Sequence, residues 1–391
     1  MSTHSHTAPQ PDLDRVQRIG LGAFGVGLLL CVFGWMQDPD QAIRSYLTGF
    51  LLTVGLPLGS LALLMVHHMV GGQWGMVMRR LLEASTRTLP LLVVLTVPIL
   101  LSMPVLYKWA RPEVVAGDAV LQAKAPYLNV PFFIGRTAFY FAVWMLWAFL
   151  LNRYTAEQDA GGGDARRKLT NISGPGIVVF ALTVTFAVTD WAMSLDPHWY
   201  STIFGVIFMI GQALSVLSLV VIALAAMMEY APLKGLVRPN HFHDIGNLML
   251  AFTMLWAYTN FSQFLIIWSG NLPEEIPWFI HRLRGGWGVI AGLLVVFHWA
   301  LPFVLLLMRF NKRKAGMLAK IAVLILIVRL LDLTWIVQPN FTGGHFRLHW
   351  MDLAAPLALL GLWLAFFVRQ LKQRPLEPTE IARLAAAAGH H

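Results

Sequence analysis

Ten apolar runs, separated by short polar segments, set the pattern of this chain. They lie near 19–36, 46–68, 88–107, 130–151, 173–194, 201–228, 245–268, 286–308, 316–336 and 350–369. A helix of about 20 apolar residues crosses the hydrocarbon of a bilayer. Inside that hydrocarbon each backbone group must bond within its own segment, which selects the α-helix for runs of this length. The pattern predicts an all-α polytopic membrane protein with ten transmembrane helices, spans 1–10.

Composition and charge sharpen the picture. Of 391 residues, 57% are hydrophobic and 13% charged, against about 25% charged in a soluble domain. Mean hydropathy is +0.63. Residues 1–17 mix acidic and basic side chains, unlike the start of a secretory signal, so 21–36 is expected as a retained first span. The distribution of Lys and Arg sets orientation. The N-terminus, the segments after spans 2, 4, 6 and 8, and the C-terminus hold 20 of the 29. Among them are Arg79, Arg80, Arg87, Arg166, Arg167, Lys168, Lys312, Arg313 and Lys314. Both termini are therefore expected to be cytoplasmic. The net charge of +9 follows from this bias and calls for no nucleic-acid partner. The single cysteine, Cys31, lies within span 1. One cysteine cannot supply the ligands of an iron–sulfur cluster or a CxxCH haem attachment, so neither is expected on this chain.

Three segments are expected: a tail at 1–17, a ten-helix membrane domain at 18–371, and a tail at 372–391 whose Ala-rich part forms a short surface helix. Gly161-Gly162-Gly163 lies among charges in 152–172, which reads as a flexible linker between spans 4 and 5. An internal echo crosses the chain. Asp190 precedes Pro197 by seven residues near the end of span 5, and Asp332 precedes Pro339 by seven near the end of span 9. Spans 2–5 and 6–9 thus read as two related four-helix bundles, with spans 1 and 10 peripheral.

Five charges interrupt the apolar runs: Arg136, Asp190, Arg329, Asp332 and Asp352. Each costs roughly 2.5–3.5 kcal/mol at a helix centre, so it must face protein or water. At a rise of about 1.5 Å per residue, Asp190 lies about 26 Å along span 5, and Arg329 and Asp332 about 20–24 Å along span 9. Arg136 lies about 9 Å below the outer face on span 4, and His349 and Asp352 open span 10 on that face. All six fall toward the outer side. Arg329 and Asp332 have i,i+3 spacing and can pair on one helix face. Asp190 has two readings, a structural partner of Arg136 or a proton acceptor. Dry surroundings favour the neutral carboxyl and a nearby arginine the ionised one. Span 7 adds Tyr258, Thr259, Asn260, Ser262 and Gln263 at the same level, which implies a hydrated cavity or a protein partner.

The inner half holds His67, His68, Glu229, His243, Asp244 and, near mid-depth, His298. Gln212, Ser215 and Ser218 form a stripe on span 6, read first as helix-packing polar groups and second as part of an inner proton route through His67, His68, Glu229, Asp244 and His298. No two histidines sit at matched mid-membrane depth, so no haem b is expected. On the outer face, 269–284 (SGNLPEEIPWFIHRLR) and 338–350 (QPNFTGGHFRLHW) read as docking surfaces.

Four stretches carry a family likeness: GGQWGMVMRRLLEASTRTLPLL at 71–92, TDWAMSLDPHWYSTIFG at 189–205, HDIGNLMLAFTMLWAYTNFSQFLIIWSGNLPEEIPWF at 243–279 and LHWMDLAAP at 348–356. They resemble the ActF-type membrane subunits of bacterial alternative complex III, within the NrfD/polysulfide-reductase membrane-anchor family. The resemblance covers nearly all of spans 2–10. It implies two four-helix bundles and a place in a quinol:electron-acceptor oxidoreductase of a bacterial inner membrane. It also implies partners: a homologous NrfD-like membrane subunit, an iron–sulfur subunit and c-type cytochrome subunits, which would carry the redox centres. Menaquinol or ubiquinol would be the reductant. In the sister subunit of that complex a histidine of the fourth helix and an aspartate of the fifth form the quinol pocket. Asp190 matches the aspartate, but the fourth helix here offers Arg136, which cannot accept a proton. Two further classes stay open: a stand-alone proton-coupled transporter, for which broken helices would speak, and a purely structural anchor.

Overall fold

Hydrocarbon-length apolar runs fold as helices because the chain has no other way to satisfy its backbone out of water. In the computed structural model, which describes residues 11–343 and 345–376, every regular element is helical. The helices that matter here are α1 (Leu13–Gln37), α2 (Pro39–Val70), α3 (Gln73–Thr86), α4 (Leu89–Leu101), α5 (Val130–Asp159) and α6 (Ala165–Trp191). They continue with α7 (Phe204–Met227), α8 (Pro239–Gly270), α9 (Ile276–Leu283), α10 (Gly285–Leu307), α11 (Ala315–Val337) and α12 (Met351–Leu371). Nine helices among the described residues are long and apolar enough to cross a membrane. The chain is a multi-pass helical membrane protein.

The third expected span takes a different form. Its apolar run makes α4, thirteen residues or about 20 Å, and then a separate single helical turn at Met103–Leu106. It is preceded by α3, and the two meet at a 44° bend. Residues 73–86 are therefore not a loop. Arg79, Arg80, Glu83 and Thr86 are buried on α3, at the end of the bundle where the chain ends meet. The expected linker at 152–172 also shrinks. α5 runs to Asp159 and α6 starts at Ala165, with Gly161 turning at φ +91°. A Lys168–Glu157 bridge of 2.6 Å clasps the two helix ends.

α2 is apolar all round, and it is the most buried span, 89% within its apolar window. It packs against α6, α7 and α12, and α7 packs in turn on α8 and α11. α1 lies outermost. Its only buried residues are Gly20, Gly27 and Gly34, seven apart. A Cβ on Gly27 would come within 2.5 Å of Ala358 N, and one on Gly20 within 2.9 Å of Ala365 N, both on α12. These glycines let two backbones touch, the small-residue packing that replaces a hydrophobic drive inside lipid. α12 was expected at the periphery with α1; instead it lies between α1 and α2. Lys372 after α12 pairs with Asp14 on α1. The tail at 1–17 is already helical from Leu13; its first ten residues and the Ala-rich stretch at 377–391 lie outside the described residues.

Candidate functional site

α5 starts under an Asn129 cap, whose side chain accepts from the Phe132 N–H at 3.0 Å, with Pro131 in its first turn. That start fixes Arg136 nearly two turns inside the helix. Arg136 Nε donates to Asp190 Oδ2 at 2.9 Å and Nη2 to Oδ1 at 2.8 Å, a bidentate pair between α5 and α6. Tyr140 Oη donates to Oδ2 at 2.8 Å. Arg136 Nη1 donates to the Tyr127 carbonyl at 2.8 Å, and its guanidinium lies 3.8 Å from the Tyr127 ring centre. Asp190 is completely buried. A cavity of about 400 Å³ lies against Arg136 and Tyr140, but Asp190 does not line it.

Asp332 and Arg329 pair on α11, one turn apart and both buried. Arg329 fits because α7 carries Gly211 there: an added Cβ would stand 2.4 Å from the guanidinium carbon. Asp332, unlike Asp190, lines a cavity. It measures about 660 Å³ and lies among α7, α8, α9, α10 and α11. Its walls are mainly apolar and include Trp256, Phe264, Phe279, Trp299 and Trp335; Asn260 and Gln263 add polar groups beside Asp332. Among the described residues, the indole N–H groups of Trp256 and Trp299 are buried with no hydrogen-bond partner. Each such orphan costs about 1–3 kcal/mol.

His298 stands behind this wall, fully buried, its ring 4.3 Å from that of Trp256 and both ring nitrogens without partners. It sits in a π-helical turn at Val295–Ala300, where Leu301 N–H reaches back to the Val296 carbonyl. Pro302 follows and has no N–H to continue the ordinary ladder, a common origin of such local widening.

Asp352 forms a third group. Its Oδ1 accepts from Ser45 Oγ at 2.6 Å, Gln338 Nε2 at 3.0 Å and Gln41 Nε2 at 3.3 Å, and its Oδ2 from the His349 backbone N–H at 2.9 Å. These donors are neutral. The six outer candidates therefore form three separate groups, Arg136–Asp190, Arg329–Asp332 and His349–Asp352. No hydrogen bond or ion pair joins the groups among the described residues, so the single polar core expected from depth alone divides by helix pair.

The inner candidates do not come together. Glu229 and Asp244 are exposed. His67 and His68 line a cavity at the end of α2, and His298 lies with the Trp256 wall. Ser215 and Ser218 bond back to backbone carbonyls of α7, and Gln212 packs against Gly55 and Gly59 of α2. The stripe serves helix packing. Among the described residues no group of three or more His, Cys, Asp or Glu side chains is placed to hold a metal ion.

Both outer segments fold back on the chain. α9 buries Trp278, Phe279 and Arg282. Trp278 stacks on Trp199 at 4.4 Å, and Arg282 donates to the Ile336 carbonyl at 2.7 Å. Trp287 Nε1 donates to the His345 carbonyl at 3.0 Å, holding the second segment. The exposed remainder includes Leu272, Glu274, Phe346 and Leu348. Nearby, His198 pairs with Asp118 at 2.7 Å. Burial raises the Asp118 carboxyl, but the Leu121 N–H, His198 and the Val120 N–H together bring it below its ordinary value.

One buried network escaped sequence reasoning. Arg79 bonds Glu83 at 2.8 Å and Asp159 at 2.7 Å; Arg80 bonds the same two at 2.9 and 2.8 Å; Arg374 reaches Glu83 at 3.2 Å. The i,i+4 and i,i+3 spacing of Arg79 and Arg80 to Glu83 was the available signal.

The fold and these sites define a class, a polytopic helical membrane protein with buried ion pairs and one large aromatic cavity. No protein-family model matches the chain, and no curated protein matches it.

Proposed function

We infer that this chain is an integral membrane subunit of a quinol:electron-acceptor oxidoreductase of the alternative complex III kind. The observation that carries the reading is the 660 Å³ aromatic cavity ending at Asp332. Its volume lies in the range of small-molecule sites, about 300–1,000 Å³. A quinone is a flat apolar ring with two carbonyl acceptors. The aromatic walls suit the ring, and the side-chain amides of Asn260 and Gln263 on the lining are donors for the carbonyls. Quinol oxidation releases two electrons and two protons; Asp332 is the carboxylate at hand, with Arg329 to hold its charge. Partner subunits with iron–sulfur clusters and c-type haems would take the electrons, so the chain is not catalytic alone. Spans 2–5 and 6–9 would form the two bundles, meeting where α2 packs on α7. The membrane is the bacterial inner membrane with both termini cytoplasmic, a reading supported by the Lys and Arg bias.

A structural role is favoured for the first-half site by a specific observation: Asp190 is saturated by Arg136 and Tyr140 and does not line the cavity beside them. The experiment is gentle purification followed by assay. Haem-bearing subunits should co-elute, and Asp332→Asn should lower quinol:cytochrome c activity at least tenfold with subunit composition unchanged. Elution of the chain without redox subunits would favour a transporter, and unchanged activity in the variant would remove the quinone from this cavity.

A further inference from the structure

The two side-chain amides on the lining of the Asp332 cavity differ in what they offer a ligand. Asn260 Nδ2 already donates to the Trp256 carbonyl at 2.8 Å. Gln263 is buried on α8, and its Oε1 accepts from Ser201 Oγ at 3.2 Å. Its Nε2 has no partner among the described residues and stays accessible, on a side chain that lines the cavity. A glutamine amide carries its acceptor and its two N–H donors on opposite corners. With the oxygen held by Ser201, the donors are the groups turned to the cavity.

Ser201 does not line the cavity itself. It belongs to the connection between α6 and α7, and that connection is pinned on both sides of it. Trp199 stacks at 4.4 Å on Trp278, a residue of the cavity wall, and the Ser201 N–H donates to Met193 Sδ at 3.4 Å. The hydroxyl is thus delivered from a fixed backbone.

The cavity opens sideways. Tyr258, Phe261 and Val295 on its lining are exposed. α8 packs on residues 295–307 of α10, whereas Gly285–Leu294 packs on α9 and α11. The mouth between α8 and α10 faces lipid, which has no water to satisfy a free amide.

We propose that Ser201 is a positioning residue for the cavity ligand. By holding Gln263 Oε1 it points the Nε2 donor at the ligand, so the cavity selects a flat ring with a carbonyl acceptor over the same ring without one. An amide released from Ser201 can rotate and present its oxygen, which repels a carbonyl. A site built around a donor rejects an analogue that lacks the acceptor, because the donor is then left unpaired. This role rests on the quinone reading of the cavity and adds how the headgroup is chosen.

The test uses the full chain, with any subunits that co-purify, in a non-ionic detergent. Binding of menadione, a methylated naphthoquinone, and of methylnaphthalene, the same ring without carbonyls, is measured by calorimetric titration. The ratio of the two affinities is compared between variants, so partition into micelles cancels. The wild type should prefer menadione by about tenfold or more. Ser201→Ala should cut that preference by about threefold or more, weakening menadione and leaving the hydrocarbon unchanged. Ser201→Thr keeps the hydroxyl and should retain the preference, and Gln263→Leu should lose it. A preference unmoved in Ser201→Ala, or both probes weakened alike, would overturn the role, since a packing defect does not distinguish the two rings. So would a loss in Ser201→Thr equal to that in Ser201→Ala. No menadione binding by the wild type would remove the quinone reading and this role with it; an unmoved preference in Ser201→Ala removes this role alone.

Discussion

Asp190 and Asp332 are both buried aspartates beside arginines, and their neighbours separate their roles. Every oxygen of Asp190 is taken, by two bonds from Arg136 and one from Tyr140, and the side chain is completely buried. Asp332 has a single arginine and an open cavity. Removing one member of a buried pair strands the other, at about 3–5 kcal/mol, whereas an apolar pair of similar volume is often neutral. Asp190→Ala should therefore lower the thermal midpoint markedly, and Arg136→Met with Asp190→Leu should restore most of it; equal losses in both would show that the pair itself is needed. The charges of this residue scale were legible, because a carboxylate inside an apolar run has no other explanation than burial against protein. The orphan indoles of Trp256 and Trp299 were not. Tryptophan near a membrane edge is ordinary, and only the packed structure shows these two indole N–H groups buried without a partner among the described residues.

Among the elements, the seam between α1 and α12 shows how little surface a membrane helix needs in order to dock. Three glycines hold the whole buried face of α1. Gly27→Leu would drive a side chain into the Ala358 backbone. Overpacking of this sort costs about 1–3 kcal/mol, and here α1 can yield by separating. The expected outcome is faster hydrogen exchange throughout α1 with α2 and α7 unchanged, measured by mass spectrometry. The seven-residue glycine period was visible in the sequence as a pattern, but its partner was not. Elements also account for the third span. Its apolar run predicted a helix, yet the polar stretch ahead of it also folds as helix, because Arg79, Arg80, Glu83 and Thr86 find partners inside the protein.

For the molecule as a whole, the buried network around Glu83 ties α3 to the end of α5 and to Arg374 beyond α12. Thr88 joins the same region by accepting from Trp363 Nε1 at 2.9 Å. Glu83→Gln removes the carboxylate that Arg79, Arg80 and Arg374 share. It should cost about 3–5 kcal/mol and broaden the size-exclusion peak, with the midpoint falling more than for any single surface charge; a midpoint unchanged within error would mean the network is dispensable. The sequence by itself determined that this is a helical membrane protein and where nine of its apolar helices lie, because the cost of unsatisfied backbone in hydrocarbon leaves no other fold for such runs. It also located the five charges inside the apolar runs, Arg136, Asp190, Arg329, Asp332 and Asp352, all of them buried. Only the tertiary structure decided which charges meet, that α3 is a buried half-helix, and that the open cavity belongs to Asp332. Pairing, bending and empty volume depend on which helix faces come together, and spans that are apolar on nearly every face carry little record of their neighbours.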